Sequence, residues 1–141
     1  MFRVVVAVDG SAPSDRALAH ALRLASLGVP LEVMLLNVEP EIASGEVGAV
    51  VSAATVERLR RKAGEAALAP ALAALERARV AGRAEVRFGP AAQTIVAAAR
   101  EELCDAIFIG TRGRGAVANA ILGSVAAEVV HLADVPVTVV K

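Results

Sequence analysis

Alternation constrains this chain more than any other feature: five short aliphatic, β-branched runs are separated by segments with helical spacing. Residues 2–8 are apolar except for Arg3 and stop at Asp9-Gly10, the pattern of a strand buried on both faces and closed by a turn. Ser11 and Ser14 are candidate N-caps around Pro13, and Leu18, Ala21, Leu22 and Ala25 then keep helical spacing as far as Gly28. Residues 31–38 repeat the strand pattern, whereas 39–48 mix Pro, Gly, Ser and acids as a loop does. Residues 52–81 favour helix, with Val56, Leu59 and Ala63 on one face and Glu57 four residues before Arg61. Pro70 lacks an N–H and crowds the preceding turn, so a kink or break is expected near Ala67 to Ala69. A short third strand at 84–88, a helix opened by Pro90 through Glu102, and a fourth strand at 105–109 ending at Gly110 continue the alternation. A helix at 124–133 and a strand at 135–140 complete it.

Strands joined by helices need right-handed crossovers and a parallel sheet covered on both faces, which is a three-layer α/β/α architecture. At 141 residues the expectation is one domain, residues 1–141. Ligands of such sheets bind beyond the carboxyl ends of the strands where the winding reverses, which directs attention to the turns holding Asp9 and Gly110.

Composition removes several function classes. Fifteen Lys+Arg balance fifteen Asp+Glu, so no overall field favours nucleic acid or an anionic membrane. Three Phe and no Trp or Tyr leave no aromatic platform, and a bound base must sit against aliphatic side chains and backbone. No apolar stretch approaches the ~18 residues of a membrane span, and the first apolar run is too short for a signal-peptide core. The lone Cys104 has no internal disulfide partner, and two distant histidines offer no structural zinc set. These features fit a reducing, cytoplasmic compartment.

The chemistry concentrates around a glycine-rich segment. Gly110-Thr111-Arg112-Gly113 follows a strand, and Gly123-Ser124 opens a helix after nine intervening residues. Glycine lets backbone approach a phosphate, and the free amides of a helix start favour an anion. Arg112 and Arg114 flank Gly113 and could add charge-assisted contacts, or be solvated loop arginines. A Walker-type loop is absent, and residues 110–124 carry no carboxylate to act as base or hold Mg²⁺. Asp9 could cap a helix, bind a metal, accept a phosphoryl group, or accept a hydrogen bond from an adenine amino group. The phosphoryl reading lacks a further acidic residue beside Asp9 and a suitably placed lysine. His20 is expected on an exposed helix face, His131 near a helix end, and Cys104 as a small core or boundary residue.

Three segments, in order, resemble the universal stress protein family over nearly the whole chain: Val8-Asp9-Gly10-Ser11; Asp105 to Gly113 with Leu122-Gly123-Ser124-Val125; and Val135-Pro136-Val137-Thr138-Val139-Val140. The resemblance implies an adenine nucleotide α-hydrolase-like fold with strand order 3-2-1-4-5, of the ATP-binding type because the glycine motif is kept. It implies that Asp9 and Val38 hold adenine, that Gly110 lies by the ribose, and that Gly113, Gly123 and Ser124, with Val125 beside them, meet the phosphates. Asn119 stands where many relatives carry a basic residue. The implied cofactor is ATP, with or without Mg²⁺, and the implied partner is a second copy paired through the edge strand at 135–140, whose valines carry no protective charge. The function expected is a small cytoplasmic, nucleotide-dependent regulatory module in stress response, with a slow ATPase or nucleotide hydrolase at the same site as the alternative; no catalytic or metal-binding residue is assigned.

Overall fold

Central to the fold is β1 (Phe2–Ala7), whose Val4, Val5 and Val6 are completely buried. It pairs in parallel with β2 (Leu31–Glu39) on one side and β4 (Ala106–Gly110) on the other, in register Val5↔Met34 and Val5↔Ile107. Outside these lie β3 (Ala81–Phe88) beside β2 and β5 (Val137–Val140) beside β4, all parallel, giving the sheet order β3-β2-β1-β4-β5. The computed structural model describes residues 1–41, 52–113 and 122–141.

Period-two alternation sorts the strand side chains between two cores. Val4, Val6, Val33 and Leu35 meet Ala17, Leu18 and Ala21 of α1 (Ala12–Ser26) and Leu68, Ala71 and Leu75 of α2 (Ala53–Ala78). On the opposite face, Val5, Met34, Leu36 and Ile107 meet Ala92, Ile95 and Ala99 of α3 (Ala91–Glu101) and Ala126 and Val129 of α4 (Ser124–Leu132). Alanine supplies half or more of these helix positions on each face. The larger strand residues supply the apolar area, each worth about 1.5–3 kcal/mol when fully buried.

Helix α2 runs through Pro70 as one continuous helix, so of the kink or break expected near Ala67 to Ala69 the break does not occur. Pro70 is on the exposed side, while Leu68, Ala71 and Leu75 are buried against the sheet. Packing on both sides of the proline thus holds the helix where one lost hydrogen bond would end it. His20 is half-buried rather than exposed, with its ring 5.1 Å from that of Phe108.

The two sheet edges differ. Along β3, Arg83, Glu85 and Arg87 share one face and are tied together, Arg83 to Glu85 at 2.9 Å and Arg87 to Glu85 at 2.7 Å. Arg83 reaches Glu102 at 2.6 Å and Arg87 reaches Glu101 at 2.7 Å, so the adjacent acids at the end of α3 are used as ion-pair partners. Burial raises the Glu85 carboxyl, but the hydrogen bonds from Arg87 and Arg83 outweigh it and hold the group below the ordinary carboxylate range. β5 has no comparable row of charges.

Gly82 shows how tightly α2 sits on β3. A Cβ there would strike the Val33 carbonyl oxygen and come within 2.7 Å of Leu75 Cδ1. Gly82→Ala is therefore expected to destabilise the protein by about 1–3 kcal/mol, because a backbone oxygen cannot yield as a side-chain tip can. Thermal unfolding checks this, and an unchanged midpoint would contradict it.

Candidate functional site

The cleft begins where β1 ends. Val8 N–H still donates to Leu36 O at 2.8 Å, but the chain then turns through Asp9 and Gly10, the latter at φ +82°. Ser11 N–H donates to Asp9 Oδ1 at 2.9 Å, and Asp9 N–H donates to Ser14 Oγ at 3.1 Å. Ser11 is the N-cap of α1, its hydroxyl accepting from Ser14 N, while the buried Ser14 hydroxyl donates to Ala7 O at 3.3 Å. Of the two candidate caps, one therefore caps the helix and the other braces the turn. Asp9 is half-buried, and its carboxyl both closes this turn and lines the cleft.

Across the winding reversal, β4 ends at Gly110 against the first turn of α1. A Cβ on Gly110 would lie 2.7 Å from Pro13 and 2.9 Å from Ser14 N. Its lack of a side chain thus serves helix–strand packing as well as access to the cleft. Thr111 is buried, donates its N–H to Val140 O at 2.8 Å, and accepts from Gly123 N through its own carbonyl. That last bond joins the two glycine segments: a Cβ on Gly123 would come within 3.0 Å of Thr111 O and 3.3 Å of Arg112 Cα. Gly113 lies against Asp9, whose Oδ2 occupies the place a Cβ at 113 would take.

Gly123 is the N-cap of α4 and has no side chain, so the first amides of that helix receive no hydrogen bond from an N-cap side chain. With the helix dipole, they make an end of the kind that favours an anion, and it opens on the cleft through Ser124 and Val125. The cleft has a volume of about 680 Å³. Leu36, Val38, Ile95 and Ile109 give it aliphatic walls. This arrangement suits an amphiphilic ligand with an anionic end: apolar walls, the Asp9 carboxyl as an acceptor, and backbone donors at a helix start.

Asp9, Val38, Gly110, Arg112, Gly113, Gly123, Ser124 and Val125 all line this one cleft, although they come from four separate stretches of sequence. Arg112 is half-buried. Arg114 and Asn119 lie outside the described residues. His20 and His131 are not in the cleft lining, and neither is Cys104, which is buried where β4 begins. Burial foremost, with the charge of Glu102, pushes the Cys104 thiol up, which disfavours the reactive thiolate.

Glu39 is a residue that the sequence reading placed in a loop. β2 continues through it, in register with Phe88, and its side chain is buried although the residue lines the cleft. Gly89 N–H also donates to Glu39 O at 3.0 Å, and this hydrogen bond extends the pairing beyond the apolar run. The available signal was the length of the partner strand, which reaches Phe88 before Gly89-Pro90 stops it.

The universal stress protein family model matches residues 1–141. A universal stress protein of Mycolicibacterium smegmatis is 31% identical over 143 residues, covering 99% of this chain and 48% of that protein, so the chain spans about half the length of this relative. The solved structure of hypothetical protein MJ0577 has the same fold, with a TM-score of 0.86 at 24% identity over 99% of this chain and 94% of that one. The universal stress protein of Archaeoglobus fulgidus, solved in complex with dAMP, matches with a TM-score of 0.67 at 26% identity, over 100% of this chain and 98% of that one. With the family model spanning every residue and the sheet wound in the order 3-2-1-4-5, this chain belongs to the universal stress protein family.

Proposed function

We propose that this protein binds ATP, with or without Mg²⁺, in the cleft between the ends of β1 and β4, and acts as a nucleotide-dependent regulatory module in the cytoplasmic stress response. The observation that carries this reading is the placement of the Asp9 carboxyl and the α4 start without a capping side chain in one cleft with aliphatic walls. The dAMP bound to the Archaeoglobus relative supports an adenine nucleotide as the ligand class.

The residues present fit the group. Val38 and the neighbouring aliphatics can cover a base, as a chain with so few aromatics requires, and Asp9 can accept from an adenine amino group. The amides around Ser124 and the charge of Arg112 suit phosphates. When bound, Mg²⁺ would supply charge neutralisation to the phosphates.

Base preference tests the assignment of Asp9. Asp9→Asn retains an Oδ1 to accept from Ser11 N–H, so the turn is kept, but it replaces one carboxylate oxygen with an amide donor that suits guanine O6. The unmodified protein should prefer ATP to GTP, and Asp9→Asn should narrow that preference by about tenfold, the scale of a charge-assisted hydrogen bond. Competition titrations measure both. Equal ATP and GTP affinities in the unmodified protein would remove Asp9 from the base edge.

We also propose that β5 pairs with its own copy. Ile107 N–H donates to Pro136 O and Thr111 N–H to Val140 O, so the backbone groups of alternate residues face β4. Those of Val137 and Val139 therefore point toward the open edge. Exposed Val125, Val130 and Leu132 of α4 add apolar surface on the same side of the sheet as Val137 and Val139. Val139→Pro removes an outward donor and leaves the β4 ladder whole, so it should shift a dimer toward monomer without unfolding it. Sedimentation at tens of micromolar reads this, and a monomer for the unmodified protein would contradict the interface.

A further inference from the structure

We infer that Asn37 is the positioning residue for Asp9, holding the Val8–Asp9 peptide so that the carboxyl is presented to the cleft; its consequence for base choice rests on the nucleotide reading above. Asn37 lies on β2 and is completely buried among aliphatic side chains. Its Nδ2 donates to Val8 O at 2.9 Å, a bond reaching across 29 residues of sequence. Because a carbonyl can only accept, the amide nitrogen is the atom that faces it.

The geometry of that peptide gives the bond its effect. The Val8 carbonyl and the Asp9 N–H belong to one planar unit, and the Asp9 N–H donates to Ser14 Oγ at 3.1 Å. The plane is thus gripped at both ends, from β2 by Asn37 and from α1 by Ser14. Rotating it would swing the Asp9 Cα and with it the carboxyl that accepts from Ser11 N–H. β1 itself ends at Ala7, so this control acts where the regular ladder stops.

Packing alone does not explain an asparagine at this place. Its Oδ1 is buried with no hydrogen-bond partner among the described residues, an unfavourable situation that an aliphatic side chain of similar shape would avoid. Helix α2 makes room for that oxygen: a Cβ on Gly64 would come within 2.6 Å of Oδ1 and 2.9 Å of Val86 Cγ2. The donor end of the amide gives the residue its use.

Asn37→Leu removes the donor and keeps the bulk. In the nucleotide-free protein, amide hydrogen exchange at Asp9 and Ser11 should become about tenfold faster, while the Val4 and Val6 amides inside β1 keep their protection. A purely structural role would instead raise exchange through global unfolding at all these amides together. With nucleotide, the ATP-over-GTP preference should fall by about as much as in Asp9→Asn. Exchange at Asp9 and Ser11 within about twofold of the unmodified protein would overturn the inference, whatever the thermal midpoint does. Should the unmodified protein bind no nucleotide, the proposed function fails and the exchange result still decides the role of Asn37. If Asn37→Leu does not fold, the unmodified protein supplies the test. An NMR coupling through the hydrogen bond from Asn37 Nδ2 to the Val8 carbonyl carbon supports the inference, and its absence rejects it.

Discussion

Pairing of β1 with a parallel neighbour on each side is the constraint from which the rest of this structure follows. β2 takes one edge of β1 and β4 the other, so the connections after β1 and β4 leave the sheet on opposite faces, toward α1 and toward α4. The space between those departures is the cleft. Its floor is the carboxyl end of a sheet whose central valines exclude water completely.

Small residues convert that topology into a site. Gly110 allows the first turn of α1 to press on the end of β4, Gly123 allows the start of α4 to rest on Thr111, and Gly113 gives way to the Asp9 carboxyl. Two of these contacts join segments that must act together, so the glycines hold the site closed up as well as leaving room for a ligand. Gly113 is consequently a poor isolated probe of phosphate binding, since a larger side chain there would displace Asp9 first.

The sequence was informative where periodicity and composition act locally. The apolar runs ended within a few residues of the strands, and the strand order followed from the family resemblance because alternation by itself does not say which strand pairs with which. Pro70 does not break α2, because that outcome is set by tertiary burial on both sides, which the chain around it does not reveal. Glu39 was read as loop because an acid after an apolar run usually marks a strand's end, whereas here pairing with β3 carries the strand one residue further. Asn37 was hidden inside an apolar strand: nothing in Leu36-Asn37-Val38 indicates that the side chain reaches the Val8 carbonyl just beyond the end of the neighbouring strand. The convergence of Asp9 and the glycine segment on one cleft was legible because both lie at the carboxyl ends of strands where the winding reverses.

The most direct test of the account is a map of backbone amide chemical shifts as ATP is added. Perturbations should concentrate at Asp9 to Ser11, Val38, Thr111 to Gly113 and Ser124 to Ala126, with the amides around Cys104 and Asp134 unmoved. Saturable shifts centred elsewhere, or none at millimolar ATP, would contradict the claim that this cleft is an adenine nucleotide site.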